Sequence, residues 1–131
     1  MRIVFDENVP DCIIIALTEL ASIAFPYKLD ITSVSLLNIA GEPDEEVLQV
    51  VGKDGILITY DKDFKRQRAL YHIIKQHQIG VFWVRQPKVK TVWILAQLMV
   101  AQWDVMLDKA HTIDRPFLFE VTKNGVSELS F

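Results

Sequence analysis

Residues 56–64 read Ile56-Leu57-Ile58-Thr59-Tyr60-Asp61-Lys62-Asp63-Phe64. Ile56 to Tyr60 is a continuous apolar strand of the kind buried on both faces, and such strands belong to parallel sheets covered by helices on either side. It stops at Asp61. Upstream, Asp54-Gly55 is a turn, and Gly41-Glu42-Pro43 feeds a helix from Asp44 to about Lys53. Downstream, Phe64 to Gln76 reads as a basic helix, and Ile79 to Val84 as another strand, ended by Pro87.

The same alternation extends to both ends. Arg2 to Phe5 is a short strand ending at Asp6. Asn8 reads as the N-cap of a helix running to about Ser22, with Pro10 in its first turn and Ile13, Ala16, Leu17 and Leu20 at helical spacing. Asp30 to Leu36 reads as a second strand. Thr91 to about Asp108 is an amphipathic helix striped by Val92, Leu95, Met99, Trp103 and Met106. Two alternating runs around Asn124-Gly125 close the chain as a β-hairpin. Strands alternating with helices imply an α/β fold with a mainly parallel sheet and right-handed crossovers. With 131 residues, half of them hydrophobic, residues 1–131 are expected to form one domain.

Composition narrows the class. The single cysteine, Cys12, excludes an internal disulfide and a Cys-based zinc site, and its apolar run predicts a buried thiol. No segment has the pattern of a signal peptide or the length of a membrane span, so a soluble, cytoplasmic protein without membrane contact is expected. Net charge is −3, but its distribution is uneven. Residues 1–61 carry three basic and eleven acidic side chains, net −8. Residues 62–90 carry eight basic and one acidic, net +7. Residues 91–131 carry three basic and five acidic, net −2. An acidic region followed by a basic one suits a metal site beside a surface for a polyanion; a basic helix coated for solubility gives the same count.

In open α/β sheets ligands bind beyond the carboxyl ends of the strands. Two strands here end directly in aspartate, Asp6 and Asp61. A third acid comes from a helix: Asp44 continues the stripe Val47, Leu48, Val51 and should lean over the sheet, while Glu45 and Glu46 should face solvent. Carboxylates held together repel unless a cation compensates, and hard oxygen donors suit Mg²⁺ or Mn²⁺. Such an ion activates water against a phosphodiester without a His or Ser nucleophile. The histidines His72, His77 and His111 match no ligand spacing. Each acid also has a plainer reading. Aspartates end strands as turn formers, acids in a first helical turn complement its dipole, Asp63 caps the following helix, and Thr59 packs or bonds locally. Trp83, Trp93 and Trp103 read as core.

Three blocks carry a family resemblance. Met1-Arg2-Ile3-Val4-Phe5-Asp6-Glu7-Asn8-Val9-Pro10 resembles the opening of the PIN-like family labelled DUF5615, related to the Mut7-C and toxin-type PIN domains. Gly41 to Leu48 resembles its second block, and the strand with Thr59-x-Asp61-x-Asp63-Phe64 its third. The likeness covers roughly residues 1–85. It implies a three-layer α/β/α PIN-like fold, Mg²⁺- or Mn²⁺-dependent ribonuclease chemistry on an RNA substrate, and often a toxin role beside a small antitoxin protein, with homodimers common. Carried across by position, Asp6 and Asp61 become metal ligands, Asp44 completes the shell, Asp63 becomes a second-metal or outer ligand, and Thr59 orients Asp61. Toxin-type domains usually place a glutamate where this chain has Asp44, so Glu45 stays as a substitute. Tyr60 stands where many relatives carry a basic residue.

The leading expectation is therefore a metal-dependent endoribonuclease whose phosphates are gripped by Lys62, Lys65, Arg66 and Arg68, with Arg85 and Lys88 extending that surface. A receiver-like signalling module phosphorylated on Asp61 is the alternative from a different class, and a catalytically silent PIN-like binding module is the third.

Overall fold

Period-2 alternation along the strands decides which side chains meet which helices. The computed structural model describes residues 1–37, 41–88 and 91–130; the side chains of Asp44 and Lys65 lie outside the described residues. The elements are β1 (Arg2–Phe5), α1 (Asp11–Ala24), β2 (Asp30–Ser33), α2 (Asp44–Val51), β3 (Ile56–Thr59), a 3₁₀ turn (Phe64–Arg66), α3 (Arg68–His77), β4 (Gly80–Val84), α4 (Val92–Thr112), β5 (Phe117–Thr122) and β6 (Gly125–Glu128). They form one sheet in the order β2-β1-β3-β4-β5-β6. The first five strands are parallel and β6 closes antiparallel on β5.

One face of the sheet presents Ile3, Phe5, Ile56, Ile58, Phe82, Phe117 and Phe119 to α1 and α4. The other presents Val4, Leu57, Val81, Trp83 and Leu118 to α2 and α3. Both faces are therefore buried, which is why β3 shows no polar residue until Thr59. Under α4 the rings of Phe82, Phe117 and Phe119 lie 5.2–5.8 Å apart. The Trp103 ring sits 6.1 Å from Phe5, and its Nε1 donates to the Leu17 carbonyl at 3.0 Å. Gly80 pairs with Phe117, and a Cβ there would collide with the Phe117 ring.

The crossovers are not all of one hand. From β1 the chain steps outward to β2 through α1. It returns across β1 to β3 through α2 and continues the same way to β4 through α3, both on the opposite face. Reversed direction and reversed face give these three the same hand. The α4 crossover steps in the direction of α3 but packs on the face of α1, so its hand is opposite. The right-handed rule thus fails once. The aromatic side of β4 and β5 would otherwise lie bare, and burying it favours α4 on that face.

Local corrections have local causes. α1 begins at Asp11 with Pro10 at the N-cap position and no side-chain cap. Asn8 is not the cap, because the chain first turns back and the Val9 amide donates to the Asp6 carbonyl at 3.2 Å. Cys12 is exposed, since the buried stripe of α1 is Ile13, Ile14, Leu17 and Ala21; Ala16 and Leu20 also face out. β2 stops at Ser33, whose hydroxyl accepts the Leu36 amide. The basic helix opens as a 3₁₀ turn, breaks at Gln67, and restarts at Arg68. α4 starts under a Thr91 cap, whose hydroxyl accepts the Ile94 amide at 3.2 Å, and runs on to Thr112. Trp93 is 79 % exposed while Trp103 is buried. Ten residues at 3.6 per turn leave them about 80° apart around the helix, so one stripe cannot hold both. Val92, at the end of that stripe, is exposed as well.

Candidate active site

The strand order creates a crevice before any side chain is considered. The chain leaves β1 toward β2 and comes back to β3 on β1's other side, so the loops after β1 and β3 part in opposite directions. Ligands in such sheets bind at this switch point. β1 and β3 are parallel neighbours, with Phe5 opposite Ile58. The Asp6 amide carries the ladder one residue further by donating to the Ile58 carbonyl at 2.9 Å. Asp6 and Asp61 therefore emerge side by side at the carboxyl edge, both half-buried.

Thr59 joins them. Its buried hydroxyl donates to Asp6 Oδ2 at 2.8 Å and accepts the Asp61 amide at 3.2 Å. Each carboxylate is further held by neutral donors. Asp6 Oδ1 accepts the Glu7 amide at 2.8 Å. Asp61 Oδ1 accepts the Asp63 amide at 2.9 Å, and Oδ2 accepts Gln67 Nε2 at 3.2 Å. The Asp61 carbonyl accepts Trp83 Nε1 at 2.7 Å, and the Tyr60 carbonyl accepts Gln86 Nε2 at 3.0 Å. Tyr60 itself points away into the α1–α4 core, where burial pushes its phenol up.

No basic side chain among the described residues pairs with Asp6 or Asp61. A carboxylate oxygen has two lone pairs, so after one donor each these four oxygens keep acceptor capacity. Two oriented carboxylates with neutral donors and no counter-cation among the described residues fit a hard divalent ion. Among the described residues no group of three or more His, Cys, Asp or Glu forms a metal cage. The side chain of Asp44, the third ligand expected from the sequence, lies outside the described residues. Its helix is where the sequence puts it: Val47, Leu48 and Val51 are buried and Glu45 and Glu46 are exposed. Glu7 Oε2 accepts the Gly41 amide at 2.9 Å, tying the loop after β1 to the segment that enters α2. Asp63 occupies the N-cap position of the 3₁₀ turn, is exposed, and makes no capping bond.

The basic residues flank this edge on two sides. Arg66 and Arg68 line a cleft of about 510 Å³ with Gln67, Pro43 and Glu45, spanning the starts of α2 and α3. Lys62, Arg85 and Lys88 line another of about 310 Å³ with Trp83 and Pro87. Arg85 lies 3.6 Å from the Glu120 carboxylate, which engages it within the fold. The Lys65 side chain lies outside the described residues. The three histidines stay away from the acids; His111 stacks on Tyr27 at 3.7 Å.

Gln67, Trp83, Gln86 and Glu7 were not legible as site residues. A buried indole near a strand end needs a partner for its N–H, the one advance signal among the four. Gln67 reaches Asp61 only because the chain breaks between the 3₁₀ turn and α3. No helix among the described residues is long and apolar enough to cross a membrane.

No curated protein and no solved structure matches the chain. A family model described as a PIN-like domain matches residues 1–86, the stretch that contains both aspartates, Thr59, Gln67 and the switch point. The chain thus belongs to the PIN-like domain family, and with it to domains of nuclease-type function that commonly bind divalent metals.

Proposed function

We propose that the chain is a metal-dependent endoribonuclease. The observation that carries this reading is the Thr59 bridge between Asp6 and Asp61 at the switch point, with no described cation balancing either acid. Mg²⁺ or Mn²⁺, when bound there, supplies a water of lowered pKa and stabilises charge on the phosphate. Asp6 and Asp61 hold it, Asp44 completes the shell, and Asp63 serves as an outer or second-metal ligand. Thr59 and Gln67 keep the two carboxylates from rotating away. Lys62, Lys65, Arg66 and Arg68 grip backbone phosphates, a contact that positions RNA without reading sequence. A toxin role, held in check by a small antitoxin protein, is the biological setting we propose for such an activity.

The test is cleavage of an end-labelled RNA with added Mn²⁺ or Mg²⁺. Cleavage should require the metal and fall at least ~10²-fold in Asp6→Asn and Asp61→Asn, about 2.7 kcal/mol of transition-state stabilisation. Undiminished cleavage by the folded variants would remove the proposal. Metal binding without cleavage would favour the silent module. Acid-labile phosphate on Asp61 after incubation with acetyl phosphate would favour the receiver-like alternative.

A further inference from the structure

The outer surface of the α1–α4 layer is apolar and has no partner among the described residues. Leu20 and Ile23 on α1, Tyr27 just beyond it, and Val100 on α4 are exposed, Ile23 at 87 %. Leu20, Tyr27 and Val100 border a groove of about 400 Å³ floored by Ala21, Trp103 and Leu107. Single exposed apolar residues are ordinary. A contiguous set around a groove between two packed helices is the form of a protein-binding surface.

Charge says what fits it. α1 and α4 together carry four carboxylates, Asp11, Glu19, Asp104 and Asp108, and one lysine, Lys109. The Lys109 ammonium is turned to the sheet, 5.0 Å from the Phe119 ring centroid. Lys28 lines an adjoining cavity, with Thr18 and Ser22, that shares Ala21, Phe25, Pro26 and Tyr27 with the groove; Lys28 itself does not line the groove. Asp104 and Asp108 line the groove itself. An apolar channel rimmed by acids complements a helix with apolar anchors at i, i+4 and i+7 and basic residues beside them. A second copy is a poor occupant, because a two-fold contact sets the same acid-rimmed surface on both sides.

We propose that this groove docks a basic amphipathic helix of another protein. α1 starts just after Asp6 and runs away from the carboxyl edge, so the groove, at its far end, leaves Asp6 and Asp61 open when filled. The partner tethers the domain and does not plug its site. The proposal does not depend on the nuclease reading.

The experiment is to pan a displayed library of helical peptides against the full chain and to sediment the chain alone. Enriched peptides should pair apolar anchors at helical spacing with Lys or Arg. Their affinity should fall at least tenfold in Val100→Glu and again in the Asp104→Asn, Asp108→Asn double variant. All three positions are exposed, and thermal melts confirm folding. Acidic or uncharged peptides indifferent to Asp104 and Asp108, no enrichment, or a dimer dissociated by Leu20→Glu would each overturn it.

Discussion

The carboxyl edge over β1 and β3 and the aromatic layer beneath α4 are built on opposite terms. At the edge, half-buried carboxylates are each held by two neutral donors and left with spare acceptor capacity. Beneath α4, Phe5, Phe82, Phe117, Phe119 and Trp103 are buried against one another, and the one polar atom of Trp103 is satisfied. The edge lies within the stretch matched by the family model; the layer draws most of its cover from beyond it. The difference separates two jobs: residues 1–86 hold the proposed site, and α4 with β5 buries the face that those residues leave open.

If that division is right, variants of the two regions should fail in different assays. Trp103→Ala should have the largest effect, a stability loss of about 3–5 kcal/mol in chemical denaturation, with cleavage per folded molecule unchanged. A loss of cleavage beyond the unfolded fraction would merge the two regions. Asp61→Asn is the mirror case: at least ~10²-fold slower cleavage, and a melting temperature within a few degrees of the parent. Thr59→Val sits on the boundary. It removes one hydroxyl and leaves Asp6 Oδ2 and the Asp61 amide short of a partner, so stability should drop by about 1–3 kcal/mol and cleavage should slow as well. A stability loss alone would make Thr59 a packing residue. The smallest effect belongs to Gln67→Ala. It frees one oxygen of Asp61 without disturbing the core, so cleavage should slow about tenfold, roughly 1.4 kcal/mol, at constant stability. Weaker Mn²⁺ binding by titration calorimetry would assign the effect to the carboxylate's orientation.

The edge was legible because its information is local. Strand and acid are contiguous at Phe5-Asp6 and nearly so at Thr59-x-Asp61, and a parallel sheet turns that contiguity into a shared rim. The closing hairpin was equally open to reading, because Asn124-Gly125 names its own turn and β6 begins at Gly125. What stayed hidden depends on neighbours distant in the chain. Cys12 lies in an apolar run, yet its exposure is set by which side of α1 meets the sheet. Trp93 shares a helix with Trp103 but not its direction. Gln67 became a partner of Asp61 through a break in helical geometry that no hydrophobic period records. The α4 face was settled by the aromatic side of β4 and β5, a demand visible only once those strands are paired.

The reversed passage of α4 bears on how the chain leaves the ribosome. Synthesis delivers β1 to β4 first, with both edges of that partial sheet unpaired and Phe82 facing water on the uncovered side. In that segment α2 and α3 cover only the Val81 and Trp83 face of β4; the Phe82 face and the free edge are closed by α4 and β5. An open strand edge beside exposed phenylalanine is the kind of surface that sticks to its own copies, and the C-terminal third, made after it, is what covers it in the folded chain.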